Sequence, residues 1–131
     1  MHGDLHRHNV HWADGEPRVF DFDDMLDFWF VSDVAIVLYY ATLRPIWHDD
    51  KQADYDAVKA AVLEGYRQEH DLPEAAWDTL PLFLKLREIT LLAVCERSIP
   101  PAKREPELAA DMVGWRARTL GDRPPHDLER L

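Results

Sequence analysis

The pair Asp14-Gly15 is the feature that most restricts how this 131-residue chain can fold. It lies between two short β-prone segments, and both residue types adopt the positive φ that tight hairpin turns require. We therefore predict a β-hairpin over residues 9–22, in which residues 13–17 form a five-residue connection. The polar residues at the two ends of this hairpin are expected to lie close together.

Beyond the hairpin, apolar residues recur at helical spacing, and no strand alternation supports a parallel sheet. The first predicted helix has Ser32 or Asp33 as its N-cap and is closed by Pro45. Three more helices are predicted over residues 55–70, 74–97 and 105–120, with Pro81 as an interruption of the third. The third helix is apolar on more than one face and is expected to be the core helix.

These elements indicate a mostly α (α+β) fold with one short hairpin followed by about four helices. A hydrophobic content of 47% is sufficient for one compact domain over residues 1–131. Within it, we expect a hairpin part over 1–24, a helical part over 31–120 and a loop or frayed tail over 121–131.

Charge and apolar content narrow the classes of partner. The formal net charge of −10 repels nucleic acid and anionic membrane surfaces, so neither is expected as a partner. No apolar run is long enough to span a bilayer or to serve as a signal peptide. Cys95 is the only cysteine, lies in an apolar run and is expected to pack as a small hydrophobe. A cytoplasmic protein is therefore expected.

The residue types around the hairpin suit phosphate chemistry. Asp4 is followed five positions later by Asn9, and eleven residues then separate Asn9 from Asp21. A carboxylate such as that of Asp4 can accept or orient the proton of an attacking hydroxyl group. The amide oxygen of Asn9 and the carboxylate of Asp21 are hard ligands that suit Mg²⁺. A hairpin between Asn9 and Asp21 would allow both to bind one metal cluster.

The segments His2-Gly3-Asp4, Asn9 and Asp21-Phe22-Asp23 together resemble the catalytic and metal-binding motifs of the aminoglycoside phosphotransferase and choline kinase superfamily. The nearest branch is that of the type II homoserine kinases and bacterial stress-response kinases. The resemblance implies a protein-kinase-like C-terminal lobe that uses ATP as co-substrate with Mg²⁺ or Mn²⁺. The acceptor would be a hydroxyl group of a small molecule or protein, whose identity the sequence leaves open.

The same resemblance assigns a role to each motif residue. Asp4 corresponds to the catalytic aspartate, and His2 to a structural support of its loop. Metal ligands would be Asn9 and Asp21, with Asp23 as the acidic residue that assists a second metal ion. A further residue, Asp33, resembles the aspartate at a helix start that holds the catalytic loop from below.

Such kinases also need a preceding β-rich lobe that binds ATP, and this chain has no counterpart of it. Whether the chain is itself an enzyme therefore stays open, and we expect it to transfer phosphate at no meaningful rate alone. The alternative is a non-catalytic interaction module derived from the fold. In either case, we expect a homodimer through the face that carries the hairpin and four aromatic residues, Trp12, Phe28, Trp29 and Phe30.

Two other metal sites fit the sequence less well. One is a zinc site made of four histidines, His2, His6, His8 and His11. The other is a metallophosphoesterase site that combines one histidine with three carboxylates, namely His6, Asp4, Asp21 and Asp23. No later histidine pair completes the second site.

Overall fold

The computed structural model describes residues 1–43 and 55–120. The chain forms two compact units, one comprising Met1–Leu80 and a second that begins at Pro81. The strands and helices, in chain order, are β1 (Val10–Ala13), β2 (Glu16–Val19), α1 (Val31–Leu38), α2 (Tyr55–Glu69), α3 (Glu74–Trp77), α4 (Leu80–Ser98) and α5 (Pro106–Leu120). This mostly helical architecture with one hairpin confirms the predicted fold class. Within the described ranges, no helix is both long and apolar enough to cross a membrane.

The predicted hairpin is present, but its connection has two residues instead of five. Strands β1 and β2 are antiparallel, and Ala13 pairs with Glu16 directly beside the turn. Asp14 and Gly15 have φ values of 56° and 81°, as a tight turn requires. Pro17 is tolerated inside β2 because each strand of a two-stranded sheet is an edge strand.

Helix α1 begins earlier than the sequence pattern suggests. Its N-cap is Phe30, which has helical dihedral angles and provides no side-chain cap. The prediction of Ser32 or Asp33 as N-cap is therefore wrong, since both lie inside the first turn. After Leu38 the helix continues as a π-helical turn over Tyr39–Leu43. The predicted end at Pro45 lies outside the described residues.

Helix α2 agrees with the predicted helix to within one residue at its C-terminus. It packs against α1 and the π-helical turn. Near its end, the Tyr66 ring lies 5.6 Å from the Trp77 ring, and the Arg67 guanidinium lies 5.3 Å from the Trp77 ring centroid. The buried apolar residues of this first unit are Val31, Val34, Ala35, Ile36, Leu38, Tyr39, Trp77 and Leu80.

The predicted third helix is divided into α3 and α4, but the break lies at residues 78–79, ahead of the predicted interruption at Pro81. Proline is the second residue of α4, where a missing N–H costs no helical hydrogen bond. The first half of α4 contains the buried residues Phe83 and Leu84, whereas Ile89 and Val94 are exposed. Only that half therefore behaves as the predicted core helix.

Helix α5 lies within one residue of its predicted range, and Met112 and Trp115 are buried. In this second unit, the Glu96 carboxylate accepts hydrogen bonds from Arg104, at 2.8 Å, and from Arg116. These two bonds hold the pKa of Glu96 below its usual value. Cys95, expected to pack as a small hydrophobe, is half-buried. The predicted tail over 121–131 lies outside the described residues.

Candidate active site

The open end of the hairpin brings the two halves of the sequence motif together. Val10 and Val19 form the last strand pair, and beyond it the Phe20 amide donates to the Asn9 carbonyl over 3.1 Å. Asp21 is the next residue and has a φ of 63°. Asn9 is 5% exposed, whereas Asp21 is exposed. The backbones that carry these two proposed ligands are therefore neighbours.

Asn9 also closes the loop that carries Asp4. Its backbone amide donates to the His6 carbonyl at 2.8 Å, and its side-chain Nδ2 donates to the Asp4 carbonyl at 3.0 Å. Residues Arg7–Asn9 form a 3₁₀ turn within this loop. Because Nδ2 is directed at Asp4, the amide oxygen Oδ1 is the atom of Asn9 suited to bind a cation.

The carboxylate of Asp33 binds the start of the motif. Its two oxygens accept hydrogen bonds from the backbone amides of His2, at 2.8 Å, and Gly3, at 3.0 Å. Asp33 lies in the first turn of α1, so this helix fixes the position of the loop backbone. Hydrogen bonds to a charged acceptor are stronger than neutral ones.

His2 links the loop to the hairpin through both ring nitrogens. Nδ1 lies 3.3 Å from the Asp4 amide nitrogen, and Nε2 lies 3.0 Å from the Phe20 carbonyl oxygen. A backbone N–H can only donate, so Nδ1 is the acceptor and the ring proton is on Nε2, which donates to Phe20. The ring is buried and lies 4.8 Å from the Phe22 ring. Neither of these two partners was predicted.

Gly3 lies in the predicted motif, but the sequence analysis assigned it no role. Its φ is +86°, and a Cβ at this position would overlap the carbonyl oxygen of Asp24 and lie 2.9 Å from Cδ2 of Leu26. Leu26 also donates its amide to the Met1 carbonyl at 3.3 Å. Only glycine fits this close approach of two backbones.

His6 is a second residue that the phosphotransferase resemblance did not include, and it contacts Asp4. Its Nε2 lies 3.5 Å from Oδ2 of Asp4, and the side chains of His6 and Asp4 are 15% and 23% exposed. The His6 ring lies 4.6 Å from the Tyr40 ring at an angle of 74°. Asp4 is therefore partly accessible but has an imidazole beside its carboxylate.

The other two carboxylates proposed to bind a metal ion, those of Asp21 and Asp23, are exposed. Among residues 1–43 and 55–120, no three His, Cys, Asp or Glu side chains are placed to hold a metal ion together. The four-histidine zinc site and the metallophosphoesterase site therefore have no support in this part of the chain. The amide oxygen of Asn9 with the carboxylates of Asp21 and Asp23 is a different, all-oxygen donor set that fits Mg²⁺ or Ca²⁺.

Helix α2 contributes a residue that responds to the charge of Asp33. Burial, and then the nearby Asp33 carboxylate, raise the pKa of Tyr66 above its ordinary value of 10.0. Tyr66 therefore stays a neutral phenol at physiological pH. Its position connects the end of α2 electrostatically to the carboxylate that holds the loop.

Comparison with known proteins gives three consistent matches. The model of the phosphotransferase enzyme family matches residues 1–72, which is more than half of the chain. Amicoumacin kinase of Bacillus subtilis (strain 168) is 37% identical over 92 residues, which are 70% of this chain and 27% of that protein.

The solved structure of amicoumacin kinase hAmiN in complex with AMP-PNP, Ca²⁺ and Ami superposes with a TM-score of 0.78 at 30% identity. The match covers 99% of this chain and 40% of that one, so the chain spans less than half the length of either relative. These matches confirm the resemblance inferred from the motif. The chain belongs to the phosphotransferase enzyme family.

Proposed function

We propose that this chain is the catalytic part of an ATP-dependent phosphotransferase that transfers the γ-phosphate to a hydroxyl group. The hydrogen bonds of Asn9 carry the proposal. They join the Asp4 carbonyl, the His6 carbonyl and the Phe20 amide in one unit. A carboxylate suited to proton transfer and the end of the hairpin that precedes Asp21 are thereby held together, as phosphoryl transfer requires.

Each residue has a separate role in this proposal. Asp4 accepts or orients the proton of the attacking hydroxyl group. Asn9 and Asp21 bind a divalent cation, with assistance from Asp23. When bound, the cation neutralises charge on the phosphate oxygens. His2 and Asp33 hold the loop backbone through the hydrogen bonds described above.

A small-molecule acceptor is favoured over a protein. Both relatives are named as amicoumacin kinases, and hAmiN was solved with Ca²⁺, AMP-PNP and Ami. We therefore propose ATP as the co-substrate and Mg²⁺ or a related divalent cation as the cofactor. The acceptor is a hydroxyl-bearing small molecule.

A second candidate is a non-catalytic module that pairs with a second copy of itself. One observation favours it: the segment from residue 20 to residue 30 has several large exposed apolar side chains, namely Phe20, Phe22, Met25, Leu26, Trp29 and Phe30. Monomeric proteins rarely expose extended apolar patches. Metal binding at Asn9 and Asp21 distinguishes the two candidates, since a pairing module has no need of it.

The test is a titration of the isotope-labelled 131-residue chain with Mn²⁺, whose paramagnetism broadens nearby NMR signals. We expect broadening first at Asn9, Asp21 and Asp23. Asp21→Asn removes the charge and should abolish it, and asparagine tolerates the positive φ at this position. Asp24→Asn is the matched control because it removes an equal charge from the neighbouring exposed acidic run.

If Asp21→Asn and Asp24→Asn reduce the broadening equally, the broadening shows only a general attraction of cations to an acidic surface. That result would contradict the proposed ligand role of Asp21. Broadening centred away from the open end of the hairpin would contradict it as well.

A further inference from the structure

We propose that His6 is a positioning residue that holds the carboxylate of Asp4 in the orientation needed for proton transfer. The inference rests on the proposed function, in which Asp4 is the base. Its starting point is the distance of 3.5 Å between Nε2 of His6 and Oδ2 of Asp4. Both side chains are largely shielded from solvent, so this contact is less screened than one between fully exposed groups.

Hydrogen bonds within the loop fix the backbone positions of His6 and Asp4. Asn9 binds the carbonyl groups of both Asp4 and His6, one through Nδ2 and the other through its backbone amide. The two side chains therefore start from backbone positions that the same residue fixes. A flexible loop would separate them, because an ion pair near the surface contributes too little to order two chain segments alone.

The imidazole ring is in turn oriented by Tyr40. The rings of His6 and Tyr40 are 4.6 Å apart in an edge-to-face arrangement, which is a favourable geometry for aromatic pairs. Tyr40 lies in the π-helical turn that follows α1. Such turns inside helices often occur at functional sites. Tyr40 thus orients the ring of His6, and His6 in turn orients the carboxylate of Asp4.

Charge is consistent with this role. A protonated imidazole forms an ion pair with Asp4, and a neutral one with its proton on Nε2 forms a long hydrogen bond. In both states the imidazole nitrogen contacts Oδ2 of Asp4. Rotation of the carboxylate away from the acceptor would break the contact with His6.

The test measures the three-bond Hα–Hβ couplings of Asp4 by NMR on the 131-residue chain, since these couplings report its χ1 rotamer. His6→Phe keeps a ring for Tyr40 and removes the nitrogen that contacts Asp4. His6→Gln returns an N–H close to the position of Nε2. His11→Phe, at an exposed position of β1, is the matched control.

We expect couplings of a single rotamer in the natural chain and in His11→Phe, averaged couplings in His6→Phe, and their restoration in His6→Gln. Unchanged couplings in His6→Phe would overturn the proposal. Equal averaging in His6→Phe and His6→Gln would also overturn it, because the role of His6 would then be ring packing alone.

A second measurement leaves the ring contact untouched and serves if His6→Phe does not fold. Asp4→Asn should shift the ring resonances of His6, and Asp24→Asn should not. Ring resonances of His6 that do not respond to Asp4→Asn would overturn the proposal.

Mn²⁺ broadening, recorded on the same samples, separates this inference from the proposed function. His6 is not a proposed ligand, so broadening at Asn9 and Asp21 should persist in His6→Phe. Persistent broadening with unchanged couplings overturns the positioning role alone. Absence of broadening in the natural chain overturns the proposed metal site, and the couplings then decide the role of His6 independently.

Discussion

Gly3 leaves less room for a side chain than Gly15 or Gly65. Its positive φ alone disfavours any other residue, and a Cβ would also overlap the Asp24 carbonyl. Gly15 has a similar φ of +81° but no atom within 4 Å of the Cβ position. The two glycines therefore separate the cost of backbone conformation from the cost of steric overlap.

We predict that Gly3→Ala lowers the free energy of unfolding by more than Gly15→Ala. Gly15→Ala should cost about 1 to 2 kcal/mol, which is the typical strain of a left-handed residue. Gly3→Ala should cost that amount and roughly 1 to 3 kcal/mol more from overpacking. Urea unfolding of both variants measures the difference. Equal losses would show that the backbone beside Gly3 moves aside at little cost.

Tyr66 makes the stability of the protein depend on alkaline pH. Its pKa in the folded protein is raised above the ordinary value of 10.0. The resulting stabilisation is complete below the unfolded pKa and is lost as the pH rises through the higher folded pKa. We predict that Tyr66→Phe reduces the loss of unfolding free energy between about pH 9 and pH 11, relative to the natural chain. An identical pH dependence in both proteins would contradict this prediction.

The same tyrosine reports the charge of Asp33. Asp33→Asn should lower the pKa of Tyr66, measured by NMR of its ring carbons, but leave it above 10.0 because burial is the larger cause. Asp27→Asn, which removes an exposed charge, is the control. A pKa of Tyr66 that both variants change equally would indicate a general effect of net charge.

The identity of the candidate site residues could be predicted, but many of their contacts could not. Asp4, Asn9 and Asp21 are identifiable because phosphate chemistry needs carboxylate and amide oxygens at such a spacing. The ring proton of His2 depends on two backbone groups that are distant in sequence. Likewise, the need for glycine at position 3 depends on where residues 24–26 pass, and no periodic pattern encodes that course.

At the scale of elements, the first turn of α1 anchors the loop that carries Asp4. Asp33 accepts from two amides that lie about thirty positions earlier in the chain. Both oxygens of this carboxylate bind the loop, and Asp33 itself lies inside the first turn of α1 and not at its N-cap. The helix starts at Val31 instead, immediately after Phe30.

We predict that Asp33→Asn increases amide hydrogen exchange at His2 and Gly3. Asparagine keeps one acceptor oxygen and directs an NH₂ group toward the second amide. The expected cost is about 1 to 3 kcal/mol, as for an unsatisfied polar group. Exchange at the β1–β2 pairs should change less. Faster exchange throughout the chain would instead indicate general destabilisation.

Long helices with clear periodicity were predictable, whereas the length of the hairpin connection and the buried face of α4 were not. Helices α2 and α5 follow the sequence pattern to within one residue. The hairpin was placed correctly, but its strands continue to the turn because Asp14 and Gly15 alone reverse the chain. The exposure of Ile89 and Val94 shows that an apolar run in a helix does not by itself define a core face.

At the scale of the whole molecule, two features have opposite effects on self-association: exposed aromatic side chains favour it, and the high negative charge disfavours it. Trp12, Trp29 and Phe30 are each more than half exposed, and Phe28 is half-buried beside Trp29. Burial of such side chains contributes about 1.5 to 3 kcal/mol each. A net charge of −10 opposes pairing, but salt screens this repulsion.

We predict that the chain forms dimers at micromolar concentration and that higher salt strengthens them. Trp12→Ser with Trp29→Ser should weaken dimerisation, whereas Val113→Ser, at a position 71% exposed, should not. Sedimentation velocity measures all three proteins. A monomer at every salt concentration would contradict the prediction.

The most direct test of the central claim is phosphate transfer by a chimera. This chain replaces its counterpart in the amicoumacin kinase of Bacillus subtilis, and ATP-dependent phosphorylation of the acceptor of that relative is measured. We predict transfer by the chimera, a loss of about 10²-fold to 10⁴-fold with Asp4→Asn, and little change with Asp24→Asn. A folded, nucleotide-binding chimera that transfers no phosphate, or one whose rate Asp4→Asn leaves intact, would contradict the account.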